Sequence, residues 1–151
     1  MTSEGQVVST LNSLIETCLD GQEGFRAAAD GVKDAELREL FHGYSRQRAS
    51  FAGELRDEVR RLGGEAADTG SVTGSIHRGW MGLKAALTGT DERAVLAECE
   101  RGEDSALAAY RSALGVDMPA GTRAAVERQF AEVKEAHERI RALDSAAGAG
   151  A

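Results

Sequence analysis

Proline is almost absent from this sequence of 151 residues, in which Pro119 is the only one. Because proline interrupts helices more strongly than any other residue, nearly the whole chain is free to be helical. Hydrophobic residues make up 42% of the chain and charged residues 28%. This size and composition predict one globular domain with a real core.

Cysteine is scarce as well, since the chain contains only Cys18 and Cys99. Two cysteines are too few for a disulfide framework, and their separation is unlike the close spacing of metal-binding cysteines. Each falls on an apolar stripe of a predicted helix. We therefore expect two buried thiols in a reducing cytoplasm.

Long apolar runs and clusters of basic residues are also missing. No run approaches the roughly 20 apolar residues of a membrane span, and the N-terminal MTSEGQVVSTLNS has no basic region followed by an apolar one. The net charge is −7, and nothing concentrates the Lys and Arg that binding to phosphates requires. We predict a cytoplasmic protein with neither a membrane nor a nucleic acid as its partner.

What the sequence does contain is apolar residues at helical spacing through most of its length. The first long helix is predicted from about Glu4 to Gly31. Asp34 suits the N-cap of a second helix, which ends at about Leu62, before two glycines. A connection this short between two long amphipathic helices predicts an antiparallel hairpin.

A second predicted hairpin follows. Its first helix carries apolar residues from Val95 to Leu114, and its second begins after Asp117, with Pro119 in the first turn, and continues to Leu143. Proline suits a first turn because its missing N–H would have no partner there. We predict a domain over residues 1–145 and a flexible C-terminal tail over 146–151.

The two hairpins are joined by about 25 residues, 65–89, which include a predicted short helix over roughly 72–87 that contains Trp80. A connection of this length can carry the chain from one end of a bundle to the other, so that the second and third long helices run parallel. The predicted fold is therefore all-α: a ferritin-like four-helix bundle with one long crossover that carries a short extra helix.

Polar residues interrupt the apolar stripe of each long helix. Arg48 does so in the second, Glu103 in the third and His137 in the fourth, while Gln22 and Glu23 lie beside the stripe of the first. At about 1.5 Å of rise per residue, Arg48 and Glu103 fall at similar heights near the middle of the bundle. A buried carboxylate must be paired or must coordinate a metal. Two interpretations follow.

The first interpretation is structural: Glu103 pairs with Arg48, and Gln22 and His137 complete a hydrogen-bonded network. The second is a carboxylate site for one or two transition-metal ions. The candidate ligands for such a site are Glu23, Glu100, Glu103, Glu132, Glu135 and His137. Di-iron bundles use Glu-x-x-His pairs, which these helices lack, and the charge of Arg48 would oppose a cation. The sequence therefore favours no cofactor.

Five segments carry a resemblance to a known family. They are LIETCLDGQEGFRAAAD, QRASFAGELRDEVRRLGG, HRGWMGLKAALTG, ECERGEDSALAAY and VERQFAEVKEAHERI, in this order over about residues 8–143. They resemble a bacterial family of ferritin-like four-helix-bundle proteins that is catalogued as a domain of unknown function. The resemblance implies that fold and a link to stress or to iron and redox handling. Its matching polar positions, which together with Gln22 make up the predicted core polar network, are Glu23, Arg48, Glu54, Glu103, Asp104 and His137.

Two hypotheses about function remain open. The favoured one is a non-enzymatic cytoplasmic bundle whose polar core is structural or binds a protein partner or small ligand. The alternative is a metal-binding carboxylate protein with a redox or stress role. A homodimer through an exposed face of the crossover, near Trp80 and Met81, is a third expectation. No nucleophile with an adjacent base is apparent in the sequence, so the prediction leans against an enzyme.

Overall fold

The computed structural model describes residues 4–67, 79–80, 82–89 and 91–149. Throughout these ranges the regular structure is helical, in agreement with the predicted all-α class. The helices are α1 (Glu4–Gly31), α2 (Ala35–Arg61), α3 (Leu83–Thr88), α4 (Glu92–Leu114) and α5 (Ala120–Ala149). None of the helices in this described part is long and apolar enough to cross a membrane.

The ends of the helices are specified by local sequence. The carboxylate of Asp34 accepts hydrogen bonds from the backbone N–H groups of Glu36 at 2.8 Å and Leu37 at 3.3 Å, which caps the start of α2. Asp91 caps α4 in the same way by accepting from Arg93 N at 3.0 Å. At the end of α2, Gly63 adopts a φ of 80°, a conformation that glycine reaches without strain.

Contacts near both ends of α1 show how the first three long helices are arranged. Ser45 of α2 donates a hydrogen bond to the carbonyl of Gln22 at 2.8 Å, whereas Asn12, nearer the start of α1, donates to the carbonyl of Glu65, just beyond α2, at 2.9 Å. The two helices are therefore antiparallel. The carboxylate of Glu92, at the start of α4, accepts from the backbone N–H of Lys33 at 2.9 Å. Since α4 thus begins at the end of the bundle where α2 begins, α2 and α4 run parallel.

Helix α5 closes the bundle against α4 and α2. Gln129 of α5 contacts Tyr110 near the end of α4 and Glu54 near the end of α2. His137, two turns further along α5, contacts Asp104, which comes earlier in α4. Helix α5 is therefore antiparallel to α4. The predicted order of long helices and the predicted crossing between α2 and α4 agree with these contacts.

The core forms two apolar clusters, one toward each end of the bundle. The first includes Leu11, Ile15, Phe51, Leu55, Val126 and Val133, and the second includes Phe25, Phe41, Trp80, Leu96, Cys99 and Ile140. In α2 and α4, Arg48 and Glu103 fall between the residues that belong to one cluster and those that belong to the other. The candidate site therefore lies at the junction of the two apolar regions.

The crossover differs from its prediction. The predicted helix over 72–87 was wrong in its bounds, since α3 spans Leu83–Thr88 and Trp80 precedes it. Gly79 has a φ of 99°, which is incompatible with a helix running through Trp80. Residues 68–78, with His77 and Arg78, and also Met81, lie outside the described residues.

Trp80 packs into a slot between α1 and α4 and is only 2% exposed. A Cβ atom added at Gly24 would lie 2.4 Å from the indole ring, and one added at Gly102 would lie 2.2 Å from it. The glycines are therefore required for the indole to fit between the helices. The ring of Phe25 meets the indole edge-on, with 4.9 Å between centroids.

Helix α5 continues to Ala149 and so includes residues 146–149. Their assignment to a flexible tail outside the domain stays a prediction. This segment is rich in alanine, which has the highest helix propensity of all residues, so the helix extends without apolar side chains to bury.

Candidate functional site

Helices α2 and α4 bring Arg48 and Glu103 together at the centre of the bundle. Arg48 is 2% exposed and Glu103 is 0% exposed. The guanidinium donates two parallel hydrogen bonds, from Nη1 to Oε1 at 2.5 Å and from Nη2 to Oε2 at 2.6 Å. This two-point geometry is the strongest form of arginine–carboxylate contact, and it occupies both oxygens of Glu103.

The guanidinium of Arg48 remains charged despite its burial. Desolvation is the largest single influence on Arg48 and lowers its pKa. The charge of Glu103 and the hydrogen bonds to it act in the opposite direction, and together they outweigh desolvation, so the pKa of Arg48 is raised above its ordinary value. The core of the bundle therefore contains a permanent cation that neutralises its central carboxylate.

Neighbouring residues support the guanidinium on its remaining sides. Its Nε donates to Oε1 of Gln47 at 3.2 Å, and its central carbon lies 5.3 Å from the centroid of the Phe25 ring. Gly21 of α1 lies directly against it, since a Cβ atom there would be 3.4 Å from Cγ of Arg48. Three helices therefore share the positioning of one arginine.

A second polar chain begins beside this pair. The sulfur of Cys18 lies 3.2 Å from the hydroxyl of Tyr110, which in turn donates to Oε1 of Gln129 at 2.7 Å. Burial raises the pKa of Cys18 to about 11 and that of Tyr110 well above its ordinary value. Both groups are therefore neutral near pH 7, and Cys18 is an unreactive thiol rather than a nucleophile.

Glu54 extends the chain toward the surface. The amide of Gln129 donates to Oε1 of Glu54 at 2.7 Å and to the carbonyl of Phe51 at 3.3 Å. The exposed Arg128 pairs with Glu54 and also reaches Glu132 at 3.3 Å. The chain thus runs from a buried thiol to a solvated carboxylate, and each link is a hydrogen bond or an ion pair.

Several residues expected in the core network lie elsewhere. Gln22 contributes its backbone carbonyl, which accepts from Ser45. Glu23 is on the surface, where its 52% exposed side chain pairs with Arg26 at 2.6 Å. Glu23 is one residue beyond Gln22, and at 100° per residue this rotates it away from the core.

The predicted contact between His137 and the Arg48–Glu103 pair was wrong. Nε2 of His137 lies 2.7 Å from Oδ1 of Asp104, whose side chain is 60% exposed. Asp104 was therefore misplaced as a core residue, because it follows Glu103 directly and faces outward. The side chain of His137 is 12% exposed, and Arg48 already occupies both oxygens of Glu103.

Among the described residues, the candidate metal ligands do not converge on a common point. Glu132 pairs with Arg128, and Glu135 is exposed. Glu100 lies beside Asp144, and its pKa is raised by desolvation first and then by the hydrogen bond and charge of Asp144. In the part of the chain that is described, no group of three or more His, Cys, Asp or Glu side chains could hold a metal ion.

Some of the polar core was not anticipated. Gln129 is 0% exposed and links Tyr110 to Glu54, although the sequence analysis did not assign it a contact. The sequence feature that could have identified Gln129 as buried is its position, three residues after Val126 on the buried stripe of α5. Thr122 also donates to the buried Glu58 at 2.9 Å. Among the described residues, no buried side-chain nitrogen or oxygen is without a hydrogen-bond partner.

The fold and the site together define an all-helical bundle closed around a buried arginine–glutamate pair. The chain belongs to the family described as a domain of unknown function, DUF2383, whose model matches residues 6–115. This confirms the predicted membership of a family without an assigned function. The match covers α1 to α4, and α5 lies beyond it. No curated protein matches the chain.

Proposed function

We propose that this protein is a bacterial, cytoplasmic, non-enzymatic bundle of the ferritin-like type, and that its polar core is structural. Under this proposal the guanidinium of Arg48 is the cation that balances the central carboxylate, at the height where metalloproteins of this architecture bind their ions. The observation that carries the proposal is the two-point contact between Arg48 and Glu103, both of which are buried.

Electrostatics supports this assignment. A metal ion at Glu103 would have to displace two charge-assisted hydrogen bonds and would then lie beside an uncompensated guanidinium. The arrangement of α2 parallel to α4, with α1 and α5 completing the ring, supports the ferritin-like topology.

The pKa values of the other buried groups support a role other than catalysis. A nucleophile or general base works best with a pKa near the operating pH. Cys18 and Tyr110 have their pKa values raised far from neutrality. The protein would then act by binding through its surface, and its core would maintain the shape of that surface.

Elemental analysis tests the proposal directly. The protein is purified without an affinity tag or chelator from cells supplied with iron, manganese and zinc. We expect no stoichiometric transition metal and the same melting temperature before and after treatment with EDTA. One or two equivalents of metal would contradict the proposal and favour the carboxylate metalloprotein.

The variant Glu103→Gln separates the two hypotheses further. If Glu103 holds a metal, the variant loses it, whereas Asp57→Asn provides a control at a solvated carboxylate that pairs with Arg60 and is not a candidate ligand. If Glu103 serves Arg48 alone, neither variant changes the metal content, and only Glu103→Gln lowers the stability.

A further inference from the structure

A cleft of about 520 Å³ opens between the first half of α2 and the second half of α5. Leu40, Gly43 and Tyr44 of α2 line it together with Gln47, and Arg139 borders it from α5. The cleft is shallow and largely open to solvent, and its volume falls within the range of sites for small molecules. It is separate from the buried pair, although Gln47 touches both, since Oε1 of Gln47 accepts from Nε of Arg48 at 3.2 Å.

The two ends of the cleft differ in charge. Glu36 and Glu39 line the end toward the start of α2, and Arg139 lies near Tyr44. Burial raises the pKa of Tyr44, the charge of Arg139 acts in the opposite direction, and Glu135, one turn before Arg139 on α5, adds a smaller raising effect. Arg139 is exposed to solvent. The cleft therefore presents a cation and two anions to solvent.

The distance between the charges limits what could bind. Glu39 and Glu36 precede Tyr44 by five and eight residues, which places them about 8–12 Å along the helix axis from the level of Tyr44. A ligand that satisfies both ends must carry a positive and a negative group at a similar separation. Between the charged ends of the cleft, Leu40 and the ring of Tyr44 form an apolar surface.

Gly43 lies on the α2 wall of the cleft and has no side chain to fill it. Glycine inside a helix lowers stability relative to alanine, and packing does not require it here. A Cβ atom at Gly43 would have only Nη2 of Arg46 within 4 Å, at 3.9 Å. Gly53, ten residues further along α2, is equally free of neighbours but does not line the cleft. It provides a matched control for substitutions at Gly43.

We propose that this cleft binds a small zwitterion of dipeptide size. Its ammonium group would face Glu36 and Glu39, its carboxylate would face Arg139, and its apolar portion would lie on Leu40 and Tyr44. This site does not depend on the proposed function, since it would be present whether or not the core holds a metal.

The protein contains its own reporter for this site. The ring of Tyr44 lies 5.3 Å from that of Phe25, and Phe25 lies 4.9 Å from Trp80, the only tryptophan in the chain. A ligand that packs on Tyr44 would be two rings from the indole. Titration calorimetry would measure the affinity, and the emission of Trp80 would report occupancy.

The first test compares three probes on the full chain: glycyl-leucine, its N-acetyl derivative and its C-terminal amide. The derivatives remove the positive and the negative charge, respectively. We expect saturable binding of glycyl-leucine and binding at least about tenfold weaker for each derivative. No saturable binding of glycyl-leucine, or equal binding of all three probes, would overturn the proposal.

The second test locates the site. Gly43→Leu fills the cleft, while Gly53→Leu adds the same side chain to the same helix outside it. We expect Gly43→Leu to weaken glycyl-leucine binding at least about tenfold and Gly53→Leu to leave it unchanged, with both variants folded by circular dichroism. In Arg139→Gln, the preference for the dipeptide over its amide should disappear. Equal binding to Gly43→Leu and wild type would show that the cleft is not the site.

Discussion

The arginine–glutamate contacts in the core and on the surface of this bundle have the same chemistry but opposite surroundings. Arg48 and Glu103 are 2% and 0% exposed, whereas Arg26 and Glu23 are 54% and 52% exposed. The closest N–O distances are 2.5 Å in the first pair and 2.6 Å in the second. Distance alone therefore does not distinguish them. Burial decides how much each pair matters, because water is unavailable to replace a lost partner in the core.

Replacing the carboxylate of each pair should give the largest difference in stability between the core and the surface. We expect Glu103→Gln to lower the free energy of unfolding by about 3–5 kcal/mol, because Arg48 is left charged and buried. Glu23→Gln should lower it by less than about 1 kcal/mol, an effect that added salt should reduce further. Urea denaturation of the two variants measures both values, and similar losses would contradict the role given to burial.

Alkaline pH should lower the free energy of unfolding, because the groups beside the core pair are buried in their neutral form. The folded pKa of Cys18 is about 11, against an ordinary value of 9.0. Because the unfolded thiol loses its proton first, stability should be complete below pH 9 and should fall as the pH rises from about 9 to 11, by about 2–3 kcal/mol for this group. Cys18→Ala should flatten this part of the pH–stability curve, and an unchanged curve would contradict the assignment.

The second polar chain should respond less than the ion pair, because its buried members are neutral. Replacing Gln129 with Leu removes the acceptor of the Tyr110 hydroxyl and should lower the free energy of unfolding by about 1–3 kcal/mol. Glu132→Gln, at a surface carboxylate on the same helix, is the control. A loss as large as that of Glu103→Gln would show that charge is not the main distinction between the two networks.

Replacing both members of the core pair should have the smallest effect. In Arg48→Met with Glu103→Leu, no buried charge is left unpaired, so we expect stability close to that of wild type or higher. Thermal melting of this double variant beside Glu103→Gln tests the interpretation. If the double variant is as unstable as the single one, the pair contributes through specific packing that an apolar pair cannot replace.

The arrangement of the helices was accessible from the sequence because it depends on local rules. The apolar stripes, the Asp34 cap and the long stretch between the hairpins predicted four long helices with the second and third parallel. These features act over a few neighbouring residues or through chain length. The predicted helix does not run through Trp80 because Gly79 has a φ of 99° where the chain lies against Arg101 and Gly102 of α4, a contact that local sequence does not specify.

The sequence by itself determined which positions of the long helices face inward, including those of Arg48 and Glu103, because helical periodicity assigns each residue to a face. The tertiary structure alone decided which polar groups meet: His137 with Asp104 at the surface, and Tyr110 with Gln129 in the core. Periodicity specifies direction to within about one residue, or 100° of rotation. A hydrogen bond depends on a few tenths of an ångström between helices, and only their packing sets that distance.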